Sequence, residues 1–130
     1  MKKFIIVIAM LLCYSVSQAQ VKVYEKLQGG NEMIVDINSL KNLKVIQIVG
    51  TANWTGTKVT IMIDYGQKKD WKSDSFIVDN KTGAKTKFHS VIAAINYLEN
   101  NGWAYLDAYT VSIGNSNVYH YTFKRIDVKP

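Results

Sequence analysis

The amino-acid sequence predicts an α+β fold in which one main helix packs on one face of an antiparallel sheet. Residues 58–65 alternate between apolar and polar side chains, the period of a strand with one buried face. Residues 90–102 carry the signals of a capped amphipathic helix. Two strand-like runs, residues 103–113 and 118–126, follow the helix and are joined by a short turn. Strands that follow one another with short connections favour antiparallel pairing. The sequence therefore predicts an antiparallel sheet on which the helix packs.

The first nineteen residues differ from the rest and predict a signal peptide. Lys2 and Lys3 form a basic start, an apolar run follows over residues 4–14, and Ser17-Gln18-Ala19 is a small-x-small cleavage motif. The apolar run is shorter than the roughly 20 residues that a membrane-spanning helix needs. We therefore expect residues 1–19 to be removed, residues 20–130 to form a single domain without a membrane span, and the protein to be periplasmic, on the cell surface or secreted.

The leader also contains the one cysteine, Cys13. Its removal leaves a mature chain without a thiol nucleophile, a thiolate metal site or a disulfide. A lipid-attachment cysteine needs a small residue before it, and here Leu12 precedes, so lipidation of Cys13 is a disfavoured alternative.

The charge of the mature chain does not favour nucleic acid as a partner. Loss of Lys2 and Lys3 lowers the 16 basic residues to 14 against 10 acidic ones, a net charge of about +4. Only Arg125 among the basic residues is an arginine, the side chain best suited to phosphate and guanine. A basic surface made by Lys68, Lys69, Lys72, Lys85 and Lys87 is the weaker alternative.

Short strand-like runs alternate with turn signals in the first half of the mature chain. Residues 21–24, 33–37 and 44–50 are the early candidates, and Asn38 and Ser39 are candidate caps for a single helical turn. Residues 75–78 and 85–88 flank the turn-forming sequence Asp79-Asn80-Lys81-Thr82-Gly83, which predicts a hairpin.

The helix is the best-determined element. Ser90 is a suitable N-cap, an apolar stripe falls at helical spacing, and Gly102 supplies the left-handed residue that ends a helix. Trp103, just beyond, is placed to pack back on the last residue of the stripe. The stripe consists of Val91, Ala94, Ile95 and Leu98.

Aromatic side chains are concentrated in the last two strands. With an unbroken period of two, Trp103, Tyr105 and Tyr109 share one face of residues 103–113. The opposite face then carries the small residues that would admit the helix, Ala104, Leu106 and Ala108. Tyr119, Tyr121 and Phe123 share one face of the last strand. Such faces form the core if the N-terminal strands cover them, or a surface for a partner or ligand if they stay exposed. The candidate surface residues are Trp103, Tyr105, Tyr109, Tyr119 and Tyr121.

The same region carries a resemblance to a known group of proteins. Five segments resemble small exported proteins of unknown function from Gram-negative gut bacteria: residues 87–90, 94–98, 101–103, 115–120 and 123–124. Their order, helix, Gly-Trp turn, strand, turn, strand, also resembles short bacterial domains built around such a turn. The resemblance covers mainly residues 58–125. It implies an α+β fold and a cell-envelope or extracellular setting, and it supplies no catalytic residues.

No catalytic signature stands out in the mature chain. Phosphate-loop, dinucleotide-binding, nucleophile-elbow and zinc-protease motifs are all lacking. The two histidines, His89 and His120, would need each other and a carboxylate to bind zinc, and nothing in their spacing favours this. The sequence thus predicts no metal, no cofactor and no catalytic residue. The alternative is a small carbohydrate-active or other hydrolase that uses paired carboxylates beside aromatic rings, with Asp64, Glu99 and Asp107 as the candidates.

These observations favour a non-enzymatic binding module of the cell envelope. We expect it to bind a protein partner, or a second copy of itself, through an aromatic sheet face or an exposed edge strand.

Overall fold

Two antiparallel sheets and one α-helix make up the part of the chain that the computed structural model describes, residues 19–27, 29–52, 59–68 and 74–126. The predicted α+β fold with a helix packed on a sheet is confirmed. The elements are β1 Lys22–Lys26, β2 Glu32–Asp36, β3 Val45–Ala52, β4 Val59–Asp64, β5 Ser75–Val78, α1 Val91–Glu99, β6 Trp103–Ile113 and β7 Ser116–Arg125. Within these ranges no helix is long and apolar enough to cross a membrane. Of the predicted leader, only Ala19 lies inside the described residues.

The small sheet has three strands in the order β2-β1-β5. Val23 lies opposite Ile77 of β5, and both side chains are buried. Tyr24 lies on the other face of β1, where its ring stacks on Phe76 with centroids 4.6 Å apart. The small sheet thus turns one side toward the core and the other outward.

The large sheet has four strands in the order β4-β3-β7-β6, all antiparallel. The alternation that predicted β4 is present in the structure, because Ile61 and Ile63 are buried while Thr60 and Met62 are exposed. In β3 the buried residues include Ile46, Ile48 and Gly50. We call the face of this sheet that carries the buried residues the inner face, and the opposite face the outer face.

The helix packs on the inner face, close to β3. Ser90 Oγ accepts a hydrogen bond from Ala93 N at 3.1 Å, which confirms the N-cap. Ala94 and Leu98 are buried. A Cβ atom on Gly50 would lie 3.4 Å from Val91 Cγ2, so α1 and β3 approach to van der Waals contact at this point. Gly102 has φ +90°, the left-handed conformation predicted for the end of the helix.

One hydrophobic core joins all of these elements. It lies between the inner face of the large sheet on one side and the helix and the small sheet on the other. Trp103 and Phe123 are its largest fully buried side chains. Tyr97 and Phe88 close its margin, with their rings edge to face at 5.6 Å.

Two local predictions need correction. The single helical turn is a 3₁₀ turn at Ile37–Ser39, and its cap is Asp36, whose Oδ1 accepts from Asn38 N. The predicted hairpin between residues 75–78 and 85–88 is reduced to one bridge, Val78 with Lys85, and two backbone hydrogen bonds, from Thr86 N to Ile77 O and, beside the turn, from Asp79 N to Ala84 O. Residues 86–88 leave the small sheet because they lead the chain to α1.

Candidate functional site

The outer face of the large sheet presents a cross-strand row of four side chains, one from each strand. The pairing register aligns Met62, Val49, His120 and Tyr109 in this order. Tyr109 is 49% exposed and Met62 is 37% exposed, so the row is open to solvent at both ends. The next row along the strands contains Thr60, Thr51, Val118 and Val111. Exposed apolar side chains that adjoin one another on a sheet mark a candidate interaction surface.

The centre of the outer face is an ordered polar and aromatic cluster. The rings of Tyr109 and His120 are stacked, with centroids 4.5 Å apart and planes 5° from parallel. Gln47 Nε2 donates to Tyr109 Oη at 3.4 Å and to Thr122 Oγ1 at 3.3 Å. In this orientation Gln47 Oε1 lies 3.1 Å from His120 Nδ1, within hydrogen-bond distance. The Gln47 amide thereby contacts both rings.

The prediction that Trp103, Tyr105 and Tyr109 share one face is wrong. A β-bulge interrupts β6. Tyr105 pairs with Phe123 and Asp107 pairs with Thr122, so a step of one residue along β7 corresponds to a step of two residues along β6. Leu106 is the extra residue, and it reverses the alternation of all residues that follow it. Trp103 and Tyr105 therefore belong to the inner face, and Tyr109 belongs to the outer face.

Before the bulge, the helix consequently covers the side of β6 opposite to the predicted one. Trp103 is completely buried and belongs to the core, so it contributes nothing to a surface. Leu106, expected beneath the helix, is 57% exposed. Tyr105 lies on the inner face, with its ring edge to face on Phe123 at 6.1 Å.

Tyr119 and Tyr121 lie on the inner face together with Phe123, as the alternation of the last strand predicted. Both tyrosines are half-buried, and Tyr121 packs against the core. Burial is also the main reason that the pKa of Tyr121 is raised. Of the five candidate surface residues, Tyr109 is the one that the structure places on the outer face.

Gln47, Val49, Met62 and His120 were not among the candidate surface residues. The alternation along β3, β4 and β7 predicts that these residues face away from the core, because each of them lies an odd number of residues from the buried positions in its strand. Which strands are neighbours, and therefore which exposed side chains adjoin, depends on the sheet order.

The outer edge of β6 is the second feature of this region. β6 is the last strand of the large sheet and pairs only with β7 among the described strands. Beyond the bulge, residues 107–113 are all exposed. Residues 108–113 contain no charged residue and no proline, two of the devices that protect an edge strand from pairing with another chain. A third device, a β-bulge, lies just before them at Leu106. The edge is therefore a template for strand addition.

The candidate hydrolytic residues are not gathered in a cleft. Asp64 and Asp107 share a cross-strand row but occupy opposite edges of the sheet, three strand spacings or about 14 Å apart. Paired carboxylates of glycosidases lie about 5–10 Å apart. Glu99 lies at the end of α1, on the inner side of the sheet, where its Oε1 accepts from Tyr105 N at 2.7 Å.

The two histidines are also separated. His120 is stacked on the outer face, whereas His89 precedes α1 beside β4. Across the described ranges, no group of three or more His, Cys, Asp or Glu side chains is arranged to hold a metal ion. Of the lysines in the predicted basic surface, Lys69 and Lys72 lie outside the described residues.

No known protein family, no curated protein and no solved structure matches this chain. The resemblance of residues 58–125 to small exported proteins stays a prediction.

Proposed function

We propose that the protein is a non-enzymatic interaction module of the cell envelope, which pairs with a second copy of itself through the outer edge of β6. The observation that carries this proposal is the edge at residues 108–113, which no other described strand pairs with and which adjoins the open outer face. The predicted leader supports the envelope setting.

Strand addition at this edge satisfies backbone groups and extends the sheet. An antiparallel pair of β6 strands joins two four-stranded sheets into one of eight strands. The backbone provides affinity, and the alternate side chains provide specificity. On the outer face these side chains are Tyr109, Val111 and Ile113, which are 49%, 39% and 65% exposed. Pairing buries part of this apolar surface in each copy.

The charge pattern of the edge suits a second copy. In a two-fold antiparallel pair, each residue lies opposite a residue of the same segment, so a charge near the centre would face its own equivalent. Like charges that face each other across strands are destabilising. The segment Ala108–Ile113 has no charge, and a pair centred near Thr110 places the Asp107 side chains at the two ends. The segment is thus self-compatible.

The test is the oligomeric state of protein purified from cells that express the full chain. Multi-angle light scattering and sedimentation velocity, over a range of concentrations, should show a dimer that dissociates on dilution. Val111→Lys places a charge at the β6 edge and should shift the protein to the monomer. Thr60→Lys is the matched control, because Thr60 lies in the same cross-strand row at the opposite edge of the sheet and is also exposed.

A monomer at all concentrations overturns the proposal. A dimer that Thr60→Lys disrupts and Val111→Lys leaves intact also overturns it, because the interface would then lie at the β4 edge. Circular dichroism and thermal unfolding of both variants establish that each remains folded.

A further inference from the structure

A cavity of about 400 Å³ lies at the opposite edge of the large sheet from β6. Its walls are the start of β4, residues 59–61, and the segment that leads to the helix, residues 85–89. Both walls are in the described part of the chain and are fixed at several points. Thr86 N is bound to Ile77 O at 2.9 Å, and Phe88 packs against Tyr97. The cavity is thus a preformed feature between β4 and the helix entrance.

The polar side of the cavity is basic. Its ionisable lining residues are Lys85, Lys87 and His89, and among residues 19–27, 29–52, 59–68 and 74–126 no acidic residue lines it. Lys85 is further positioned by a cation–π contact, with its Nζ 4.7 Å from the centroid of the Phe76 ring. His89 directly precedes the N-cap of α1, so the positive end of the helix dipole is next to these side chains. The two lysines and this end of the helix favour an anion.

Thr86 supplies an independent observation. It lines the cavity, and its Oγ1 is buried without a hydrogen-bond partner among the described residues. A buried hydroxyl without a partner is destabilising and calls for an explanation. Because Oγ1 has no surface open to the cavity, a ligand oxygen would become such a partner through rotation of the Thr86 side chain about its Cα–Cβ bond.

The remaining lining is apolar. Val59, Ile61 and Phe88 contribute hydrocarbon surface to the same cavity. Ligand sites commonly combine such walls with a few convergent polar groups. A bare inorganic anion would leave these walls without a contact, whereas an anion with an apolar body would cover them.

We propose that this cavity binds a small organic carboxylate with an aliphatic body, its carboxylate toward Lys87, His89 and the Thr86 hydroxyl and its hydrocarbon against Val59, Ile61 and Phe88. The site does not depend on the proposed β6 pairing, because the two lie at opposite edges of the sheet.

The test is a titration of the ¹⁵N-labelled protein with sodium octanoate, followed by NMR. Amide shifts should concentrate at residues 59–61 and 85–91. Octan-1-ol, which lacks the charge, and inorganic phosphate, which lacks the hydrocarbon, should each bind about tenfold more weakly or worse. The affinity for octanoate should also decrease as salt is added.

Three variants separate a ligand role from a structural one. Lys87→Gln should weaken octanoate about tenfold. Lys124→Gln, an exposed lysine of β7 outside the cavity, should leave binding unchanged. Thr86→Val removes the buried hydroxyl at constant shape, so it should weaken octanoate and keep or raise the melting temperature. A purely structural hydroxyl would lower the melting temperature and leave the affinity intact.

The proposal is overturned if octanoate does not bind at millimolar concentration, or if its shifts map elsewhere. It is also overturned if Lys87→Gln and Thr86→Val bind as the parent does, or if phosphate binds as tightly as octanoate.

Discussion

Trp103 Nε1 donates a hydrogen bond to Asn38 Oδ1 at 2.8 Å, across 65 residues of chain. The same Asn38 side chain donates through Nδ2 to Asn101 O at 2.9 Å and to Ala19 O at 3.0 Å. Arg125 Nη2 binds the carbonyls of Ile37 and Asn38, and its guanidinium lies 5.0 Å from the centroid of the Trp103 ring. Asn38 therefore ties the 3₁₀ turn to the end of α1 and to the start of β6.

Replacement of Asn38 tests this junction. Asn38→Ala leaves the buried indole N–H of Trp103 and the carbonyl of Asn101 without partners, so we expect a loss of about 2–3 kcal/mol in the free energy of unfolding. Urea denaturation measures it. Asn42→Ala, an exposed neighbour four residues on, is the matched control and should change stability by less than about 0.5 kcal/mol. Equal effects of the two substitutions would contradict the assigned role of Asn38.

Gly102 offers a test of the turn between α1 and β6. Its φ of +90° is strained for any residue with a Cβ atom, although the nearest atom to that Cβ, Asn38 Nδ2, would be at an ordinary 3.8 Å. Gly102→Ala should therefore cost about 1 kcal/mol through backbone strain alone. Thermal unfolding measures this cost, and an unchanged melting temperature would disagree with the left-handed conformation.

The environment of Tyr65 predicts that the stability of the folded protein decreases at alkaline pH. Burial, and then the hydrogen bond to the Glu25 carboxyl, raise the pKa of Tyr65 well above its usual value. The folded state thus holds the phenolic proton more tightly than the unfolded state does. This contribution is complete below the unfolded pKa of about 10 and is lost as the pH rises above it. Urea unfolding between about pH 8.5 and 11 should show the decrease in stability.

Tyr65→Phe is the variant that isolates this contribution. The pKa values of Tyr97 and Tyr121 are also raised, with burial as the main cause, and they contribute to the alkaline decrease in both proteins. The difference between the parent and Tyr65→Phe therefore reports Tyr65. We expect a shallower decrease in the variant, and parallel curves would refute the contribution.

The leader predicts a defined mature terminus. Cells that express the full chain should export a product that begins at Gln20 and lacks residues 1–19. Intact-mass measurement and N-terminal sequencing of the envelope and extracellular fractions check this. Ala19→Gln, which replaces the small residue of the cleavage motif, should lead to accumulation of the uncleaved precursor. Retention of residues 1–19 in the exported parent would contradict the predicted leader.

Part of the candidate site could be predicted from the sequence. The alternation of β7 predicted that Tyr119, Tyr121 and Phe123 share a face, and they do. The same reasoning failed in β6, because the bulge at Leu106 adds a residue to the strand and no local sequence pattern predicts that bulge. The Tyr109–His120 stack and its anchor Gln47 come from three different strands, so only the sheet order brings them together.

Local physics accounts for what the sequence determines by itself: the capped helix from Ser90 to Gly102, the one-sided burial of β4, and the α+β class that follows from them. Each depends on groups within a few residues of one another. The helix start depends on a serine hydroxyl that accepts a backbone hydrogen bond, and the strand depends on an alternation of apolar and polar residues. The tertiary structure decided the division into two sheets, the side of β6 that the helix covers, and the burial of Glu25 beside Tyr65. These depend on contacts between distant segments, whose free energies are summed over the whole core and leave no local trace in the sequence.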